Sequence, residues 1–265
     1  MDCVWILGTR GSAPVSGPDF ARWGGATTCM LLRLGGQFAV LDAGSGLLQL
    51  PEEALRAPEL PLLLTHLHLD HLTGLPMCPY LMHRGGHMPI YCATHAGKTA
   101  ETALSALYRA PFWPVPLTAL ASPVSFHPME ERFELGAICV ETMRGVHPDG
   151  ITLLRLSAGG KRVVFATDCT LTEELKPLLR AFAADCDLLL VDGQYSDKEW
   201  EKRAHFGHSA WTAAAALGRD CGAKKLRVIH HDPGRDDAAM DAADEEIRRI
   251  FPAGGAAREG EVIAL

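Results

Sequence analysis

Short apolar runs closed by glycine turns open the chain: Cys3–Gly8, Thr27–Leu34 and Gln37–Asp42, followed by the apolar run Leu60–Thr65. All four read as strands. A helix is expected from Asp70, and another from about Ala96 to Ala110, where Ala, Leu, Glu and Lys dominate. Residues 111–128 hold five prolines, which excludes a regular helix or a central strand and predicts a surface loop or lid. The second half alternates again. Strands are predicted at Ala137–Met143, Ile151–Leu156, Lys161–Ala166, Asp187–Val191, Leu226–Ile229 and Glu261–Leu265, with helices at about Leu171–Ala184, Ser209–Arg219 and Asp237–Ile250. Hairpins with interspersed helices imply an α+β protein: two sheets packed together with helices outside, as one domain over residues 1–265.

Composition narrows the function. The chain of 265 residues is 48% hydrophobic and 22% charged, with a formal net charge of -7, an ordinary globular balance. That charge argues against a grip on long nucleic acid by general electrostatics, and leaves room for a small anionic substrate held by metal ions. No apolar run reaches the roughly 18 residues that span a bilayer. The opening MDCVWILGTRG has no basic leader and reads as a strand rather than a secretory signal. Eight cysteines without a CxxC pair read as free thiols in a reducing, cytoplasmic compartment.

The chemistry concentrates in Thr65-His66-Leu67-His68-Leu69-Asp70-His71, directly after an apolar strand. Residues at i and i+2 of an extended segment point the same way, so His66 and His68 can share one metal. Asp70 and His71 follow where the chain turns, and can face a neighbouring position. Imidazole and carboxylate suit zinc, and also manganese or iron.

This segment resembles the HxHxDH signature of the metallo-β-lactamase superfamily. The resemblance implies an αββα sandwich of two mixed sheets with outer helices and a dinuclear metal site. It also implies three further ligands at strand ends: His147, Asp168 as the bridge, and His230. Each has a competitor in the sequence. His147 precedes Pro-Asp-Gly and could be a turn residue, Asp168 could cap the helix near Thr170, and His231 stands beside His230. Phe206-Gly207-His208-Ser209-Ala210 resembles the GHS-type segment of the RNase Z-like phosphodiesterase branch, where a histidine assists the leaving group. His208 could otherwise be a plain helix-start residue. Gly8–Val15, Leu41–Gly46 and His230-His231-Asp232-Pro233 resemble the same branch, the last in its short bacterial members. So does Asp192-Gly193-Gln194-Tyr195, with Gly193 where alanine is expected. His71 separates the chain from true lactamases, which generally lack that histidine.

One departure matters. RNase Z carries a long basic arm between the third histidine and the bridging aspartate, whereas His147 and Asp168 are 21 residues apart. The resemblance thus implies a dinuclear hydrolase: a phosphodiesterase acting on a small phosphodiester or cyclic nucleotide through a hydroxide bridging two divalent ions, zinc first. Asp70 and His208 would be its catalytic residues, Asp70 as ligand and orienter, His208 as proton donor. Two other readings stay open: a thioester or lactone hydrolase, and a non-catalytic accessory protein of cofactor biosynthesis. His127 and His205 stay open as substrate-facing groups, and a homodimer stays open as assembly.

Overall fold

The computed structural model describes residues 1–83 and 85–265. Its first half runs β1 (Cys3–Gly8), β2 (Cys29–Leu34), β3 (Gln37–Leu41), α1 (Glu52–Leu55), β4 (Leu62–Leu64), α2 (Pro79–Met82), β5 (Met88–Cys92), α3 (Ala100–Leu107) and β6 (Val124–Pro128). The second half runs β7 (Arg132–Leu135), β8 (Ile138–Gly145), β9 (Ile151–Ala158), β10 (Lys161–Ala166), α4 (Leu175–Phe182) and β11 (Leu188–Asp192). It continues with α5 (Asp197–Arg203), α6 (Trp211–Asp220), β12 (Leu226–Ile229), α7 (Asp237–Ile250) and β13 (Val262–Ala264). One sheet has the order β13-β1-β2-β3-β4-β5-β6 and the other β12-β11-β10-β9-β8-β7. Both are mixed, as the family resemblance implies: β3, β4, β5 and β6 are parallel neighbours, as are β10, β11 and β12, and the remaining pairs are antiparallel.

The central strands are apolar on both faces, and the two-residue period sorts them into layers. Leu63, Leu188 and Leu190 point between the sheets with Val4, Met30, Leu154 and Phe165. Their neighbours Leu62 and Leu64 face outward to Leu72, Leu75 and α3. On the other side Leu189 and Val191 meet α4, α6 and α7 through Leu179, Trp211 and Met240. The resulting order is helix, sheet, sheet, helix.

Three expectations change. The proline-rich segment holds β6, an edge strand that pairs only with β5. Pro128 ends it where no further partner needs a proline N–H. The helix expected from Asp70 is a single 3-10 turn, Leu69–His71. Finally, α1, β5, β7 and α5 form where no element was predicted, and α5 is fixed by a capping box of Ser196 and Glu199.

Candidate metal centre

Four of the seven candidate ligands lie just beyond a strand. His66 follows β4, His147 follows β8, Asp168 follows β10 and His230 follows β12, while Asp70 and His71 sit in the 3-10 turn. Asp168 and His230 hold φ angles of 47° and 62°, a left-handed conformation that side chains other than glycine adopt at a cost of order 1 kcal/mol or more. The strain turns both side chains back over the sheet edges.

Two groups form there. His66, His68 and His147 converge in one, and Asp70, His71, Asp168 and His230 in the other. Asp168 links them: Oδ1 lies 3.2 Å from His71 Nε2, and Oδ2 lies 3.0 Å from His230 Nε2 and 3.8 Å from His66 Nε2. Asp70 Oδ2 lies 3.3 Å from His71 Nε2 and 3.2 Å from His230 Nε2. His68 Nδ1 is 3.1 Å from His147 Nε2.

A surrounding set of acceptors turns the imidazoles. His71 Nδ1–H donates to Asp42 at 2.8 Å, His147 Nδ1–H to the Gly207 carbonyl at 3.0 Å, and His230 Nδ1–H to Gln194 at 3.1 Å. Thr65 donates its hydroxyl and its backbone N–H to Asp42 and accepts from His66 Nδ1–H at 3.1 Å. In each case Nε2 is left as the inward nitrogen, which is how ligating histidines are oriented. His66 and His71 Nε2 are buried without a hydrogen-bond partner, so their unsatisfied atoms fit a cation. Gly207 and Gly11 make room, since a Cβ there would stand 2.4 Å from His147 Nδ1 and 2.2 Å from the His230 ring.

The electrostatics are those of a cation site. Burial, reinforced by His71, holds His66 well below the usual imidazole range, and burial lowers His147. Burial also opposes charge on His71 and His230, but Asp168 and Asp70, joined by Asp42 at His71 and by Asp192 at His230, together outweigh it; His71 is raised and His230 is pushed up to about 10. Conversely, Asp70 and Asp168 stay well below the carboxylate range despite burial, because His71 and His230 face them. Two buried carboxylates therefore call for positive charge, from protons or from metal ions.

His208 completes the picture. Its Nδ1 lies 2.8 Å from Asp192 Oδ2, and its ring stacks on His230 with centroids 4.6 Å apart. With Ser12, Asp70, Asp168 and Tyr195 it lines an open cavity of about 350 Å³. A cavity of similar size by Phe38 and Pro58 has Glu59 as its only charged lining residue among the described residues. His231 points away, bonded to the Ala257 carbonyl at 2.9 Å and pushed down to about 3 by burial. His127 bonds Ser125 and stacks on Tyr91, while His205 packs on Phe206; neither lines the cavity. Sequence reading missed Asp42, Asp192 and Gln194 as supports, although all stand in turns it singled out.

Residues 39–231 match the family model of the beta-lactamase superfamily domain. The chain belongs to that superfamily. It is similar to Ribonuclease Z of Treponema pallidum, 22% identical over an alignment of 298 residues that covers 94% of this chain and 93% of the relative. That alignment is longer than the 265 residues here, so the relative carries segments this chain lacks. The metallo-beta-lactamase fold protein YhfI from Bacillus subtilis superposes with a TM-score of 0.74 at 18% identity, covering 98% of both chains. A diphosphatase of the PhnP family superposes at 0.70 and 18% identity, covering 100% of this chain and 98% of the other. These likenesses bear out the sandwich fold and the RNase Z-like branch, and the chain is a hydrolase of the superfamily. The Ribonuclease Z relatives also set a nucleic-acid-processing enzyme against the expectation of no long nucleic acid. No described helix is long and apolar enough to cross a membrane.

Proposed function

We propose that the protein is a dinuclear metal-dependent phosphodiesterase acting on a small anionic phosphodiester. His66, His68 and His147 would hold one ion, Asp70, His71 and His230 the other, and Asp168 both. Zinc is the first choice for this nitrogen-rich set, ahead of manganese or iron. Divalent ions in such a site supply a water-derived nucleophile at neutral pH and neutralise charge growing on the phosphoryl oxygens.

The observation that carries the reading is His208. Asp192 accepts from its Nδ1, and a second Asp192 oxygen accepts the Ser209 N–H at 2.8 Å. This pair fixes the ring at the cavity, where it would deliver a proton to a leaving alkoxide. A thioester or lactone has less need of such a donor, and a non-catalytic accessory protein has none. Asp70 accepts the Ser12 N–H at 2.7 Å, which holds it in place to orient the attacking water.

The Ribonuclease Z relatives favour a second reading, cleavage of an RNA. Against it, His147 and Asp168 are joined here by the β9–β10 hairpin, closed by Gly159-Gly160 at φ 56° and 77°, and the net charge is -7. A core built from both halves of the chain supports a single domain over 1–265, and eight free cysteines support a cytoplasmic setting. Zinc- or manganese-loaded protein should hydrolyse bis(p-nitrophenyl) phosphate and cyclic nucleotides well ahead of thioesters and lactones. Faster cleavage of a precursor tRNA than of any small diester would replace the small-substrate reading with the RNA one.

A further inference from the structure

A groove adjoins the candidate metal cluster at His68, and His208 is not among its lining residues. Its near part, about 170 Å³, is floored by Leu67, Ala96 and Ala103. A further part, about 300 Å³, shares His95, Ala96, Asp149 and Gly150 with the first and ends at Arg144 and Thr152. Two tight turns form the walls. His95 and Lys98 exchange backbone hydrogen bonds of 3.1 and 2.8 Å around Ala96 and Gly97, with Ala96 at φ 47°. Opposite, Gly150 N–H donates to the His147 carbonyl at 3.0 Å, with Asp149 at φ 63°. Left-handed Ala and Asp are costly and mark walls held in place by their surroundings. His95 is only 7% exposed, and its Nε2 has no hydrogen-bond partner.

The charges are unevenly placed. Arg203 and Arg235, near His208, are neutralised by Asp232 and Glu199. Asp149 lies 3.7 Å from His68 Nε2. Among the described residues, Lys98 and Arg144 have no carboxylate within ion-pair distance, although both line the groove.

We propose that this groove is a substrate subsite for a second phosphate on the same molecule as the scissile diester. Lys98 and Arg144 are its counter-charges, and the Leu67–Ala103 floor lies beneath the intervening sugar or base. The inference rests on the phosphodiester reading of the cluster. The second phosphate can belong to a small dinucleotide or to an RNA strand, since both offer the same chemistry.

Calorimetry on the zinc-loaded protein tests it without turnover, with adenosine 3′,5′-bisphosphate against 5′-AMP and 3′-AMP. The bisphosphate should bind about tenfold more tightly than either monophosphate, the worth of a charge-assisted phosphate contact. That ratio should collapse to about twofold or less in a Lys98→Gln, Arg144→Gln double variant, and should persist in Arg56→Gln, a surface charge control paired with Glu52. Both groove side chains are exposed, so folding can be verified by circular dichroism. No preference in the unmodified protein, or a preference that survives the double variant, overturns the subsite. Oligoadenylates separate the sources: a plateau at two phosphates assigns a small substrate, and a continued gain with length assigns an RNA strand. Should diester hydrolysis fail while the bisphosphate preference stands, the reaction assignment falls and the subsite remains.

Discussion

The two nitrogens of His208 have different duties: Nδ1 is committed to Asp192, and the other edge of the ring borders the cavity. If His208 is the proposed proton donor and not a ligand, it can be removed without emptying the site. His208→Ala should keep about two zinc ions per chain and lower turnover of an alkyl-leaving-group diester by roughly 10²–10⁴. The loss should be far smaller for a p-nitrophenolate leaving group, which hardly needs a proton. Loss of metal from this variant would make His208 a ligand, as its closeness to His147 and Asp168 allows. Asp42 works one bond further out. Asp42→Asn weakens the charge-assisted contact that turns His71 and disturbs the Thr65 link to His66. Chelator competition should show zinc affinity reduced by about 10–100-fold; unchanged affinity would mean that His71 does not depend on this contact.

Elements bring these residues together, and what could be read of them in advance depended on range. HxHxDH declares itself because its geometry is local: one strand end presents His66 and His68, and one turn presents Asp70 and His71. The supports Asp42, Asp192 and Gln194 bind partners 29, 16 and 36 residues away in sequence, and only the packed strands reveal those pairings. The turn at Leu69–His71 has the composition of a helix start, but it stops at one 3-10 turn that presents Asp70 and His71 to the cluster, and Gly74 packs against the Gly44 carbonyl. Alanine, expected at Gly193, would not fit, because a Cβ there would stand 2.9 Å from the Trp211 Cα. Strand registry has its own electrostatic pin. Asp187, just before β11, accepts the Arg162 N–H and the Lys224 ammonium at 2.8 and 2.9 Å. Burial opposes its ionisation, but Lys224, the Arg162 N–H and Lys161 together outweigh it and lower its pKa. Its stabilisation is therefore present above the unfolded-state value near 3.8 and is lost as pH falls below it. Denaturant melts should show Asp187→Asn less stable by roughly 1 kcal/mol at pH 7, with the gap closing below pH 4.

At the scale of the whole molecule, the cluster ties the two sheets together. The first sheet contributes His66, His68, Asp70 and His71, and the second contributes His147, Asp168 and His230. Ions bound between them favour the folded state by mass action, since the unfolded chain scatters the ligands. In metal-free protein the facing carboxylates raise the pKa values of His71 and His230, so these two imidazoles would carry the positive charge that Asp70 and Asp168 call for. Those protons must leave when metal binds, because a ligating imidazole nitrogen carries none. Chelation at pH 7 should therefore lower Tm by several degrees, reversibly on adding zinc, without dispersing the fold, because the carboxylates keep protonated partners. Reloading should release about two protons per chain, read from calorimetry in buffers of different ionisation enthalpy. Zinc uptake with no proton release would show that His71 and His230 were neutral or are not ligands. A metal-free chain that unfolds outright at pH 7 would show that these proton-bearing pairs cannot replace the ions in holding the sheets together.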